Sequence, residues 1–150
     1  MSAAPRYELN RALAAEIGVH LRRCDAEFRP PLSARVDIAA YASKLAARAE
    51  RIEAWDEAEL VGLLAVYCND PNGDAFISSV SVVPEHSGLG IGKELIRRCI
   101  AHCTERRARR IGLTVDPGQH AAIRLYEKSG FAAQASPGPA LRMEMLLEND

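Results

Sequence analysis

Apolar residues recur at every fourth position through Leu9, Leu13, Ile17 and Leu21, which predicts an amphipathic helix over residues 9–26. The run Phe28-Arg-Pro-Pro-Leu-Ser33 ends it, because proline cannot continue a helix. Ile38, Tyr41, Leu45 and Ala49 mark one side of a second helix from about Val36 to Glu50. The period then shortens. Arg51 to Trp55 reads as a strand, Asp56-Glu57 as a turn, and Leu60 to Tyr67 as a nearly continuous apolar strand. Asn69-Asp-Pro-Asn-Gly73 is a turn signal, and Ala75 to Val83 is a strand closed by Pro84. Leu95, Ile96, Cys99, Ile100 and Cys103 stripe a helix from Gly92 to about Arg107. Ile111 to Val115 follows as a strand, Ala121 to Lys128 as a helix stopped at Ser129-Gly130, and Leu141 to Leu147 as a last strand. Helices first, then an antiparallel meander, then strand–helix–strand–helix–strand predict an α+β domain, a mixed sheet covered by helices, over residues 1–150.

Charge and composition narrow the partners. A net charge of -1 leaves no global positive field to recruit a polyanion, so no nucleic-acid partner is expected. With 48% hydrophobic residues the chain is predicted to bury a core rather than remain disordered. No apolar run approaches the roughly 18 residues a membrane span needs, and Met1 to Asn10 has no apolar leader core, so no membrane partner is expected. Cys24, Cys68, Cys99 and Cys103 show no Cys-x-x-Cys spacing. They read as reduced structural thiols in a cytoplasmic protein with no metal.

The chemistry concentrates in Val80-Ser-Val-Val-Pro-Glu-His-Ser-Gly-Leu-Gly-Ile-Gly-Lys93, a strand running into a glycine-rich loop that opens a helix. Glycines clear side chains from the approach, and the first N–H groups of a helix have no intrahelical partners and sit at its positive end. That combination suits a phosphate or pyrophosphate, with Lys93 able to add a point charge. A dinucleotide fingerprint counted from Gly88 would need glycine where Lys93 stands. A Walker A loop would need one more residue between Gly88 and Gly92, and Ser or Thr in place of Glu94.

The stretch instead resembles the pyrophosphate motif of the GNAT superfamily of acyl-CoA-dependent N-acyltransferases. Val82-Val83-Pro84 and Ser87-Gly88-Leu89-Gly90-Ile91-Gly92 carry the likeness. A second block, Gln119-His-Ala-Ala-Ile-Arg-Leu-Tyr-Glu-Lys-Ser-Gly-Phe131, resembles the family's later motif, with Ala122, Leu125, Tyr126, Gly130 and Phe131 in place. The resemblance implies a mixed, mostly antiparallel sheet of about six or seven strands, splayed at its centre and flanked by about four helices. It implies acetyl-CoA as cosubstrate. Val80, Ser81 and Val82 would face the pantetheine arm, and Ser87 to Lys93 the pyrophosphate. Gln119 and Ala122 would complete the cofactor site, and Tyr126 would be the acid toward the departing thiolate.

Two departures from the family pattern stand out. Ser87 replaces the usual Arg or Gln, and no carboxylate base stands where the family's pattern implies one. Many members carry it where this chain has Ser78 and Ser79, and members that acetylate ribosomal-protein N-termini carry a Glu where it has Thr114. A proton from the acceptor must then leave through water to Glu27, Asp37, His20, His120 or Asp116, or the amine must arrive neutral. By the resemblance, acceptor contacts come from Phe28 to Lys44 and from residues 132–147. Phe28, Pro30, Pro31, Leu32, Tyr41 and Trp55 are possible wall residues, or else core. The expected acceptor is a small-molecule amine, an amino sugar first among competitors that include amino acids, polyamines and protein amines. The expected state is monomer or homodimer. The rival reading is a non-catalytic acyl-CoA-binding sensor or scaffold.

Overall fold

The computed structural model describes residues 4–135 and 138–147. Among them the chain forms β1 (Arg6–Leu9), α1 (Ala14–Arg23), α2 (Ile38–Arg48), β2 (Glu50–Asp56), β3 (Glu59–Tyr67), β4 (Asp74–Val82), α3 (Ile91–Glu105), β5 (Arg110–Val115), α4 (His120–Lys128), β6 (Ala132–Gln134) and β7 (Leu141–Leu146). The strands form one sheet in the order β1-β2-β3-β4-β5-β7-β6. Every neighbouring pair is antiparallel except β4 and β5. The expected mixed, mostly antiparallel sheet with four flanking helices is present.

Both faces of the sheet are covered, which is why β3 reads as a nearly continuous apolar run and why β2 is buried from Arg51 to Trp55. On one face α1 and α2 pack Ile17, Leu21, Leu45 and Ala42 against Leu63 and Ala65. On the other, Leu95, Ile96, Cys99 and Tyr126 of α3 and α4 pack against Leu64, Val66, Ile77 and Leu113.

The first helix is shorter than its periodicity predicts. Leu9 belongs to β1, and Leu13 precedes the helix with 69% of its surface exposed. Asn10, with φ 58°, turns the chain between them, and its side chain accepts from the Arg51 N–H at 2.7 Å. What anchors this entry is the buried Glu53 carboxylate. It accepts from the Arg11 and Ala12 N–H groups, the Trp55 indole at 3.1 Å and the Arg51 guanidinium at 3.3 Å. Trp55 is therefore core, not an acceptor wall. The edge strands β1 and β6 are both absent from the sequence reading.

The feature that matters most lies at the sheet centre. β4 and β5 pair only through Asp74↔Arg110, Ala75↔Ile111 and Phe76↔Gly112. Beyond that point they separate, and the β5-facing edge of β4 from Ile77 to Val82 is left unpaired. A bulge on β4 sits at the same place, because Ala65 opposes Ser79 while Val66 opposes Ile77, leaving Ser78 extra.

Candidate active site

The gap between β4 and β5 opens into a cavity of about 750 Å³. Ser78, Ser79 and Val80 line one wall, Leu113, Thr114, Val115 and Asp116 the other, and Tyr126 also faces it. Phe28, Arg29, Pro30, Leu32, Arg35 and Tyr41 close it from the α1–α2 side; of the residues read as wall or else core, Phe28, Pro30, Leu32 and Tyr41 line it and Pro31 does not. A smaller cavity of about 190 Å³ continues along Val80, Ser81 and Val82 to Pro84 and Ser87. Phe28, Val80 and Gln119 line both, so they form one path from the glycine loop to the gap.

At the loop end, Gly88 and Gly90 have φ of 79° and 82°, a region that side chains disfavour, and a Cβ on either would meet no protein atom within 4 Å. The cradle is open on its outer side. Gly90 is the N-cap of α3, and Glu94 N–H is the first to bond back to it, so the N–H groups of Ile91, Gly92 and Lys93 lack intrahelical partners. The Ile91 side chain is buried, which leaves only its backbone for a ligand, whereas Leu89 is exposed. Gly92 has a packing duty too: its Cβ would lie 3.3 Å from Leu125 Cδ2, so α3 approaches α4 closely there. Ser87 turns away, donating its hydroxyl to the Pro84 carbonyl at 2.9 Å. Lys93 is exposed. These residues fit a pyrophosphate held by backbone N–H groups.

At the other end, Tyr126 is buried on α4, edge-on to Phe131 with ring centroids 6.0 Å apart. Burial pushes its phenol up to about 12. Ala122, one turn earlier, packs half-buried at the core edge. Gln119 caps the N-terminus of α4 and donates its amide to the Glu27 carbonyl at 3.2 Å.

The five proton acceptors named from sequence separate clearly. Asp37 caps α2, accepting from the Ala39 N–H. His20 is sealed behind Ser81, bonded to the Leu60 carbonyl and the Ser81 hydroxyl, and burial lowers it to about 4. His120 is exposed and lines neither cavity. Glu27 borders the smaller cavity and Asp116 the larger. One Asp116 oxygen accepts from the Gly118 N–H at 2.7 Å.

Sequence reasoning passed over Arg29 and Arg35, and named Ser79 only for the carboxylate it replaces. Ser79 Oγ is buried at the cavity wall with no partner among the described residues, an orphan that a polar ligand would satisfy. The bulge puts it there, and two adjacent serines inside an apolar strand were the available signal. Arg29 and Arg35 line the cavity with no ion-pair partner among the described residues. Ser136 and Pro137, in the stretch expected to contact the acceptor, lie outside the described residues.

A seven-stranded mixed sheet opened between two parallel neighbours, with a glycine-loop helix start at the mouth, defines a GNAT-type fold. The family model of the acetyltransferase (GNAT) family matches residues 17–131. The chain belongs to the GNAT acetyltransferases. It is 38% identical over 72 residues to a Bacillus subtilis protein named as a ribosomal protein bS18-alanine N-acetyltransferase, covering 47% of this chain and 48% of that one. It is 39% identical over 61 residues to the mycothiol acetyltransferase of Thermobispora bispora, covering 41% of this chain and 20% of that one. The chain thus spans about half or less of the length of these relatives. A crystal structure of a Bacillus subtilis acetyltransferase in complex with CoA matches with a TM-score of 0.74 and 22% identity, over 96% of this chain and 99% of that chain. Among the described residues no helix is long and apolar enough to cross a membrane.

Proposed function

We propose that this chain is an acetyl-CoA-dependent N-acetyltransferase that moves the acetyl group directly to a primary amine in a ternary complex. The observation that carries the reading is the continuous path from the open Gly88–Gly90 cradle, along the unpaired edge of Val80–Val82, to the gap faced by Tyr126. In this reading the free N–H groups at the start of α3 hold the pyrophosphate, and the edge of β4 orients the pantetheine arm and the acetyl carbonyl. The amine attacks the thioester carbon, the C–S bond breaks, and the Tyr126 hydroxyl gives its proton to the leaving sulfur. The proton that the attacking nitrogen sheds restores the phenol. Asp116, through water, takes the proton that first frees the ammonium.

For the acceptor we favour a small amine, amino sugars first, that also bears a phosphate or carboxylate. Arg29 and Arg35, without ion-pair partners, support an anionic group at the acceptor end. A polypeptide N-terminus is the second reading, favoured by the similarity to the Bacillus subtilis protein named for ribosomal protein acetylation. Thr114, standing where such enzymes carry a glutamate, weighs against it. The test is a thiol-release assay with acetyl-CoA over amino sugars, amino-sugar phosphates, amino acids, polyamines and an alanine-started peptide. Turnover with one anionic small amine, verified by the mass of the acetylated product, is expected. CoA binding without turnover on any amine would favour a sensor or scaffold instead.

A further inference from the structure

Far from the cleft, three side chains that the mechanism does not use converge from three elements. Glu50 opens β2, Cys68 directly follows β3, and His102 lies near the C-terminal end of α3. Their ligand atoms all lie within 4.8 Å of one another. Cys68 Sγ meets Glu50 Oε2, and His102 Nε2 meets Glu50 Oε1 at 2.8 Å. All three are half-buried, reachable by an ion yet shielded from bulk water. Buried Cys103 is next to His102 in the chain and lies near Cys68, with its Sγ 4.0 Å from Cys99 Sγ. Twelve residues of helix separate Gly90 from His102, about 18 Å at the α-helical rise, so this cluster is independent of the glycine loop.

We propose that Glu50, Cys68 and His102 form a metal site for a thiophilic divalent cation of the zinc type, with water taking the fourth position. A sulfur–nitrogen–oxygen donor set selects such an ion over calcium or magnesium, which take oxygen alone. Tetrahedral zinc with bonds of about 2.0–2.3 Å needs its donors roughly 3.5 Å apart, so the two short contacts to Glu50 open to admit the ion while no donor pair has to close from beyond 4.8 Å. Carboxylate and thiolate together neutralise a dication. Binding releases the Cys68 thiol proton to solvent, and His102 keeps one proton, on Nδ1, while Nε2 ligates. Arg106, now 3.0 Å from Glu50 Oε1, is half exposed and free to turn outward. The ion would pin the end of α3 to the ends of β2 and β3. No Cys-x-x-Cys spacing announces the site because each ligand comes from a different element.

The full chain, kept in a non-thiol reductant and cleared of metal, is titrated with Co(II) and then with Zn(II). One equivalent of Co(II) per chain should give tetrahedral visible bands and a thiolate-to-cobalt charge-transfer band that Zn(II) erases, and excess Zn(II) should raise the melting temperature. Cys68→Ser should abolish the charge-transfer band, and His102→Asn should weaken cobalt binding at least about tenfold, with CoA affinity unchanged in both. Absence of the band in the parent protein, or its persistence in Cys68→Ser, overturns the site. So does the loss of two free thiols in air without metal uptake, which would make Cys68 and Cys103 a disulfide-forming pair.

Discussion

Ser81 Oγ lies 2.8 Å from His20 Nε2, and the opposite ring nitrogen lies 2.9 Å from the Leu60 carbonyl. A carbonyl only accepts, so Nδ1 carries the proton and Nε2 accepts from the Ser81 hydroxyl. A histidine that looks from sequence like a free base is instead a neutral strut, tying α1 to the strand that borders the cofactor path.

The strut makes stability fall with acid. Burial lowers His20 to about 4, against 6.5 for the free side chain, so between these values the unfolded chain binds the extra proton. This contribution is present above pH 6.5 and is lost as pH falls toward 4, by roughly 2 kcal/mol between pH 7 and 5. Urea unfolding at the two pH values should show that loss, reduced in His20→Gln. An equal loss in the variant would place the acid sensitivity elsewhere.

Gly90→Asp puts a carboxylate into the open cradle at the start of α3. No protein atom obstructs its Cβ, and aspartate tolerates the left-handed φ of 82° better than most residues, so the fold should lose only about 1 kcal/mol. Calorimetric titration should show CoA binding largely abolished while circular dichroism is kept. Undiminished binding would move the pyrophosphate off this loop.

The parts of the site legible in the sequence are those written by local chemistry. Gly88 and Gly90 announce a turn that side chains disfavour, and the apolar run of β3 announces a strand covered on both faces. What stayed hidden depends on pairing. β1, as Arg-Tyr-Glu-Leu, and β6, as Ala-Ala-Gln, are short edge strands with little buried surface, so neither shows alternation. Leu9 and Leu13 completed a helical stripe by coincidence of spacing, and only the register of β1 on β2 shows otherwise. The orphaned Ser79 follows from a bulge, and the Glu50–Cys68–His102 cluster from long-range packing. The cluster has no local signature, and for Ser79 the one local sign is the pair of adjacent serines in an apolar strand.

Asp116 borders the large cavity with one oxygen occupied by the Gly118 N–H. Asp116→Asn preserves that turn and removes the base. At neutral pH kcat/KM for the amine should fall roughly ten- to a hundredfold, at the low end of general-base effects because water intervenes. The deficit should shrink as pH approaches the pKa of the amine, which then arrives neutral. A variant with full activity at pH 7 would leave Glu27 as the carboxylate bordering the path.

Tyr126 gives the most direct test of acetyl transfer in the β4–β5 gap. Its buried phenol, pushed up to about 12, stays protonated throughout the working range. The hydroxyl is therefore available to hydrogen-bond the sulfur and to share its proton as charge develops there, the amine proton replacing it in the same step. Tyr126→Phe keeps the ring against Phe131 and removes only the hydroxyl. With the best amine from the acceptor panel, kcat should fall by roughly ten- to a thousandfold, while CoA affinity and melting temperature stay within error of the parent. Full turnover in this variant would contradict the assignment and leave Tyr126 as a packing residue.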